Sequence, residues 1–418
     1  MNSPLNISRR TFIKATALAV GGLVIAFSIP NAKRFILPGI SNANASEDGK
    51  PLPTPNAFLR VGTDNTITVM LAHSEMGQSI WTTLPMLIAE ELDADWSKIE
   101  VMHAPAAPEY VHTAYGIQIT GGSSTTWSEF DRYRQAGALT RALLVSAAAQ
   151  KLGVSVASIK TENGYAISGD KKVSYGDLAE IAAKLATPKA VTLKQPQDWK
   201  IIGKATKRLD GPEKINGTAT FGQDVHFDGL MTAMVARSPV FGGSVKSFDA
   251  SAAKKIKGVH QVVQVPSGVA VIADNYWAAK QGRDALKVDW DLGPSASLDS
   301  KALLSEYRKM ATTSGLTAAK AGDIKTAAVK AKKTIEAEYV VPYLAHSPME
   351  PLNCSVKISK DGCEIWTGTQ MQTTDQQAAA KILGLKPEQV KIHTLFLGGG
   401  FGRRANPAAD FVSEAVQV

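Results

Sequence analysis

The sequence predicts an α+β fold spread over more than one domain, on three observations. Stretches alternating with period 2 (Ile67, Val69, Leu71) are interleaved with stretches at helical spacing (Ile80, Leu84, Leu87, Ile88, Leu92), and neither pattern runs through the chain. With 418 residues the chain is long enough for two to four domains at ~100–200 residues each. Hydrophobic residues make up 44%, charged residues 20% and the mean hydropathy is −0.06, which excludes a disordered chain and a polytopic membrane protein.

The formal charge of +8 is concentrated at the start. Residues 1–45 hold Arg9, Arg10, Lys14, Lys33 and Arg34 and no acid, and without them 41 basic side chains face 38 acidic ones. No basic patch remains that would suit a nucleic acid. Ser8-Arg9-Arg10-Thr11-Phe12-Ile13-Lys14, the uncharged run 15–29 and then Pro30 read as a twin-arginine export leader. An apolar run of fifteen residues is short of the ~20 needed to span a membrane. Ala43-Asn44-Ala45 offers a cleavage site, while Phe35-Ile36-Leu37 could keep an uncut leader anchored. The expected location is the periplasm or the periplasmic face of the inner membrane.

Each element then follows in order. A polar, Pro-rich linker occupies 46–60. A first segment, 61–200, opens with strand, loop, helix and strand (67–71, 80–92, from 99), and Pro85 implies either a kink or a helix start near Thr82. Ser128 and Asp131 suggest the cap of a second helix reaching Leu152-Gly153. Short strands turning at Asn163-Gly164 and Ser168-Gly169-Asp170, then a helix to Ala186, form a small unit before a linker at 188–200. Residues 207–291 read as a compact α+β module with strands at 231–236, 259–265 and 269–273 and helices at 250–257 and 275–285. Residues 292–332 read as exposed helices and connection. The last segment, 333–418, has strands at 333–342, 353–358, 364–368 and 390–397, a helix at 373–383, and a further helix from Gly398 in which the chain stops, which is expected of a fragment of a longer protein.

Cys354 and Cys363 are the only cysteines, too few for an iron–sulfur cluster or a structural zinc site. A hairpin turning at Asp361-Gly362 would pair Cys363 with Lys360 and keep the thiols apart, as structural residues. His346 reads as a pocket histidine with satisfied hydrogen bonds, since no second ligand stands at metal-binding spacing. Gly398-Gly399-Gly400-Phe401-Gly402-Arg403-Arg404 lies between a strand and the expected helix. Such glycines let backbone N–H groups approach an anion, with the helix dipole behind them. The run lacks the Gly-Lys-Ser/Thr of a P-loop and is not Gly-x-Gly-x-x-Gly in a first βαβ unit, so nucleotide hydrolysis and nicotinamide binding are disfavoured.

Taken with Trp366-Thr367-Gly368-Thr369-Gln370, His346-Ser347-Pro348-Met349-Glu350-Pro351, Glu75-Met76-Gly77-Gln78 and Thr120-Gly121-Gly122-Ser123-Ser124-Thr125, this turn resembles the large subunit of the molybdenum hydroxylases, the xanthine dehydrogenase and aldehyde oxidase family. The leader and segment order resemble the branch typified by the β-subunit of isoquinoline 1-oxidoreductase, which includes exported aldehyde dehydrogenases. The resemblance implies a molybdenum-hydroxylase architecture with split cofactor-binding domains. Arg208-Leu209-Asp210-Gly211-Pro212-Glu213-Lys214-Ile215 and Gly217 would open an α/β hammerhead at 207–291, and 333–418 would begin the main molybdopterin-binding domain.

By the same resemblance, Gln370 would reach an oxo ligand of molybdenum, and Gly400, Phe401 and Gly402 would stand beside metal and substrate. Gly77 and Gln78 would hold the pterin and its phosphates, and Gly122, Ser123, Ser124 and Thr125 the tail of a cytosine dinucleotide form. In most of the family the Gly-Gln segment follows the Gly-Gly-Phe-Gly segment, whereas here Gln78 precedes Phe401, a rearranged order. The family's general base, a Glu in a Gly-x-Gly-Glu segment, is absent and expected beyond residue 418; Glu350 reads as structural. The implied activity is oxidation of an aldehyde or an N-heteroaromatic ring with water as oxygen source. Electrons would leave through a separate small [2Fe-2S] subunit and then a cytochrome c subunit. The competing expectation is an exported, non-catalytic binder of a small ligand, which would carry no molybdenum.

Overall fold

The computed structural model describes residues 22–26 and 57–418; Arg9, Arg10 and the 43–45 cleavage site lie outside the described residues. The chain divides into two compact units, one made of residues up to His226 together with His346–Gln417, the other of Phe227–Ala345.

The first unit opens with a four-stranded sheet of β1 (Gly22–Ala26), β2 (Ala57–Gly62), β3 (Ile67–Leu71) and β4 (Ile99–His103), in that order. The first three are antiparallel, but β3 and β4 are parallel, joined through helix α1 (Ile80–Leu92). Alternation drives this: Ile67, Val69 and Leu71 are buried, and Leu84, Ile88 and Leu92 of α1 lie in the same core. Pro85 sits inside α1, which starts at Ile80 and not near Thr82. α2 (Thr125–Leu152) starts three residues before the expected cap, with Ser124 as N-cap. Ser128 lies within its first turn, donating its hydroxyl to the Thr125 carbonyl. Gly153, at φ 68°, ends α2 in the left-handed conformation that a side chain would strain.

β5 (Lys160–Glu162), β6 (Tyr165–Ser168) and β7 (Lys171–Ser174) form a small antiparallel sheet. Asn163 and Gly164 both have positive φ, the tight hairpin turn that Asn-Gly favours. α3 (Tyr175–Ala182) is capped by the Ser174 hydroxyl and ends four residues before the expected Ala186; α4 (Gly211–Asn216) is a single short helix.

In the second unit β8 (Thr232–Ala236), β10 (Val259–Val265) and β11 (Gly268–Ala273) form one antiparallel sheet, while β9 (Ser244–Asp249) pairs with β12 (Lys287–Asp291). β9 and β12 were not expected, because Lys246, Ser247, Asp249, Lys287, Asp289 and Asp291 break the apolar alternation. The helix expected at 250–257 is only a 3₁₀ turn at Ala253–Lys255. α5 (Tyr276–Asp284) takes its cap from Asn275, whose side chain accepts from Ala278 N–H; α6 (Ser300–Ala311) and α7 (Ile324–Val329) contain no buried residue. The strand expected at 333–342 does not form; Ile335, Tyr339 and Val341 are exposed and unpaired in any sheet.

The chain re-enters the first unit with β13 (Ser355–Ser359) and β14 (Gly362–Thr367), then α8 (Gln372–Leu383), β15 (Val390–Thr394) parallel to β14, and α9 (Asp410–Gln417). The hairpin turns at Lys360-Asp361, so Cys363 pairs with Ile358 and not with Lys360. Both thiols are free, and burial raises them, Cys363 to about 11. No helix starts at Gly398: the glycine run is a turn, and α9 begins only at Asp410, so no helix dipole stands behind it. The reason is local, since Phe401 and Ala409 have positive φ and Pro407 intervenes.

Candidate functional site

Two βαβ units, β3–α1–β4 and β14–α8–β15, present loops at the carboxyl ends of their parallel strands, where open sheets commonly bind ligands. These loops are stitched together. Ser74 Oγ donates to Thr369 O (2.6 Å) and accepts from Gln372 Nε2 (2.9 Å). Ser74 N–H donates to Thr120 Oγ1 (2.8 Å), and Thr120 N–H to Gln370 O (2.8 Å). Leu397 N–H reaches Glu75 O (3.0 Å), and His103 joins the Thr394 carbonyl through Nδ1 (3.1 Å) while its Nε2 accepts from Glu75 N–H (3.2 Å). Burial pushes His103 down to about 4, so it stays neutral in this role.

Gln370 is buried at the centre. Its Nε2 donates to Thr120 O (2.8 Å) and its Oε1 accepts from Arg404 N–H (3.3 Å), which leaves one N–H of the amide. A Cβ on Gly400 would lie 2.8 Å from Gln370 Oε1 and 3.1 Å from Met76 Sδ, so any larger residue there would push the ends of the Gln370 and Met76 side chains aside. Phe401 has φ 54° and is 71% exposed, and Gly402 has φ 92°. Glu350 has no spare oxygen for catalysis. Its Oε2 accepts from Gly398 N–H (2.8 Å) and Arg404 Nη2 (2.9 Å), and its Oε1 from Gly222 N–H (3.0 Å) and Asn353 Nδ2 (2.9 Å). His346 is exposed, not the satisfied pocket histidine expected from the sequence.

Gly77 and Gln78 are exposed on the same loop, but much of their polar capacity is used locally. Gly77 N–H donates to Glu75 Oε1 (2.8 Å); Gln78 Nε2 donates to Ser74 O (2.8 Å) and its Oε1 accepts from Met76 N–H (2.7 Å). Buried Glu75 also accepts from Ser79 and Trp81 N–H at the start of α1, and is held by Arg208 and Lys214. Gly122 (φ 63°) and Ser123 (φ 53°) are successive left-handed residues leading into α2, a backbone shape that gathers N–H groups. The Ser124 and Thr125 hydroxyls point inward: Ser124 Oγ donates to Gly121 O (2.7 Å) and hydrogen-bonds His112 Nε2 (2.9 Å), and Thr125 Oγ1 hydrogen-bonds His73 Nδ1 (3.2 Å).

Behind this segment lies a buried network that the sequence reading missed. His73 Nε2 meets Glu129 Oε1 (3.3 Å), and Arg132 pairs with Glu129 (3.3 Å). Burial alone would raise the Glu129 carboxyl, but the His73 hydrogen bond and the Arg132 charge bring it below its ordinary value. Burial, then the neighbouring His73, lowers His112 to about 4. Glu129 and Arg132 at i, i+3 in a polar stretch gave no signal, because that spacing usually marks a solvated helix face. Arg404 and Asp375 were missed too, single charged residues beside a conspicuous motif.

Among the described residues no three His, Cys, Asp or Glu side chains cluster to hold a metal ion. What these loops offer is hydrogen-bond donors to a ligand that carries its own polar atoms. The spare amide N–H of Gln370, the side-chain-free Gly400 and the N–H groups at Gly122–Ser123 suit a flat, polar, anionic group of that kind.

Two molybdopterin cofactor-binding domain models match residues 308–415 and 34–234, together most of the chain. The chain is 32% identical over 403 residues to the beta subunit of isoquinoline 1-oxidoreductase from Brevundimonas diminuta, covering 85% of this chain and 52% of that protein. It is also 32% identical over 418 residues to the membrane-bound aldehyde dehydrogenase [pyrroloquinoline-quinone] of Gluconacetobacter polyoxogenes, covering 96% of this chain and 52% of the other. The large subunit of nicotine 6-hydroxylase from Paenarthrobacter nicotinovorans is 23% identical over 250 residues, 49% of this chain and 30% of that protein. The chain thus spans about half the length of the first two relatives. Among solved structures, quinoline 2-oxidoreductase from Pseudomonas putida 86 aligns with TM-score 0.40 and 17% identity over 52% of this chain and 34% of that one.

Proposed function

This chain belongs to the molybdopterin-binding subunits of the xanthine dehydrogenase and aldehyde oxidase family, and from that premise we propose that it holds the cofactor in an exported hydroxylase of aldehydes or N-heteroaromatic rings. The observation that carries the proposal is the meeting of Gln370, Gly400 and the Met76 loop at the carboxyl ends of parallel strands. The cofactor, when bound, supplies the redox chemistry, with water as the oxygen source.

The chain's own residues bind and orient. The remaining Gln370 N–H would donate to an acceptor of the bound cofactor. Phe401, exposed on its strained turn, offers an apolar face to a flat substrate. The backbone N–H groups of Gly122, Ser123 and Thr125 would receive the phosphates of a cytosine dinucleotide form, ahead of the 28-residue helix α2 whose dipole favours negative charge there, while Ser124 N–H closes the turn onto Gly121 O (3.3 Å). The hydroxyls of Ser124 and Thr125 act indirectly, tying that turn to His112 and His73. Glu350 serves the scaffold, so the proton-accepting base is contributed by another segment. With one buried and one half-buried thiol, both raised by their surroundings and so unreactive, electrons leave through a separate [2Fe-2S] subunit and a cytochrome c.

One preparation tests the reading. The full-length product, fractionated by compartment, should appear in the periplasm when Arg9-Arg10 is intact, and should carry about one molybdenum and one pterin per chain, with cytidine monophosphate released on hydrolysis. A properly matured, exported product without molybdenum would leave the binding-protein alternative in its place.

A further inference from the structure

Arg404 is a charged side chain with no exposed surface, lodged between three segments of the site. Its Nε donates to Gly399 O (2.9 Å) in the glycine turn and its Nη1 to Gly368 O (3.0 Å) past the end of β14. Its Nη2 donates to both the carbonyl and the Oε2 of Glu350 (2.9 Å each). Only a planar fork of fixed N–H directions can serve three carbonyls from three directions at once; an ammonium on a flexible stem cannot. The charge is balanced by Glu350, whose other partners are Gly398 N–H, Gly222 N–H and Asn353 Nδ2.

The backbone of the same residue brackets Gln370 from both ends. Arg404 N–H donates to Gln370 Oε1 (3.3 Å), and Gln370 N–H donates to Arg404 O (3.1 Å). Because a backbone N–H can only donate and the Thr120 carbonyl can only accept, the amide is held with its oxygen toward residue 404 and its nitrogen toward residue 120. A displacement of residue 404 would therefore swing the amide. We propose that Arg404 is a positioning residue for the cofactor, acting through Gln370: its buried guanidinium locks the glycine turn against Gly368–Gln370, so that the amide keeps one orientation with an N–H left for an oxygen ligand of the metal. This rests on the molybdopterin reading above.

The test compares the full-length, cofactor-loaded wild type with Arg404→Met and Arg404→Lys. Four quantities are read: molybdenum per chain, the Mo(V) electron paramagnetic resonance spectrum, kcat and KM separately, and hydrogen exchange at residues 368–371 and 398–404. Arg404→Met should keep molybdenum within about twofold, change the Mo(V) spectrum, lower kcat at least about tenfold with KM within about threefold, and raise exchange in both segments. Arg404→Lys should recover the thermal midpoint, since it still pairs with Glu350, but not the spectrum or kcat. A wild-type spectrum and kcat in either variant overturns the proposal, and Arg404→Lys decides the matter if Arg404→Met does not fold. Wild-type protein without molybdenum overturns the reading beneath the proposal, and is distinguishable from loaded variants that behave as wild type.

Discussion

Among the described residues, Asp375 is one of the few carboxyls that folding makes harder to ionise. It is 1% exposed, and burial raises it to about 7 against the hydrogen bond from Thr369 Oγ1. Thr369 Oγ1 also accepts from Met371 N–H (3.0 Å), so this pair braces the backbone on both sides of Gln370. The unfolded carboxyl titrates near ~3.9, so between about pH 4 and 7 the native state holds a proton that the unfolded state has released. Stability from this group is therefore present at low pH and lost as pH rises through about 7, the reverse of a salt-bridged aspartate. Asp375→Asn keeps an acceptor for Thr369 but cannot ionise. Urea unfolding at pH 5 and pH 8 should show the wild type losing more stability between the two than the variant, by at least ~1 kcal/mol given ~1.4 kcal/mol per pKa unit. Equal losses in the two proteins would mean that Asp375 is not protonated in the fold.

At the scale of elements, the crossing of α1 and α2 depends on one small residue. A Cβ on Gly137 would lie 2.6 Å from Ile88 O and 3.0 Å from Glu91 Cβ, so the helices cannot approach this closely around a larger side chain. Alanine is the better helix former, and in an exposed helix the change would stabilise. Here the clash should outweigh that, and Gly137→Ala should lower stability by ~1–3 kcal/mol in chemical denaturation, as overpacking does; a neutral or positive change would show that α1 and α2 can part without cost. This crossing was not legible in the sequence, where Gly137 is merely a glycine among alanines. The strands β3, β11 and β14 were legible because their buried positions are largely apolar. β9 and β12 were not, since they pair with each other at a largely exposed surface, where charged residues hide the alternation. The glycine motifs were legible as chemistry before they were legible as shape. The helix expected after Gly398 is a strained turn, and the anchors that hold it, Arg404 and Glu350, declare their partners only in three dimensions.

For the whole molecule, the first unit is built from segments far apart in sequence, and its polar core joins them. Gln372 to Ser74, Thr120 to Gln370, Gln118 N–H to Thr373 Oγ1 (2.9 Å) and Gln376 Nε2 to Ala106 O (3.4 Å) are among the buried contacts that link residues before His226 to those after His346. Each would leave a buried donor or acceptor unpaired if one side were missing, at ~1–3 kcal/mol apiece. The two sides should therefore fold together or not at all, whereas residues 227–345 lie outside this network. Gly222 N–H and Glu350 Oε1 are 3.0 Å apart, and each is four residues from the boundary of the intervening unit. At ~3.5 Å per residue the two cut ends lie within ~30 Å, which a flexible linker of ~15 Gly and Ser residues reaches. A chain with 227–345 replaced by that linker should unfold in one cooperative transition, with the N–H groups of Thr120 and Leu397 still protected from hydrogen exchange, because their acceptors Gln370 O and Glu75 O remain in place. Loss of that protection, or a broad transition, would mean that residues 227–345 help to form the first unit and that the cofactor cradle is not self-supporting.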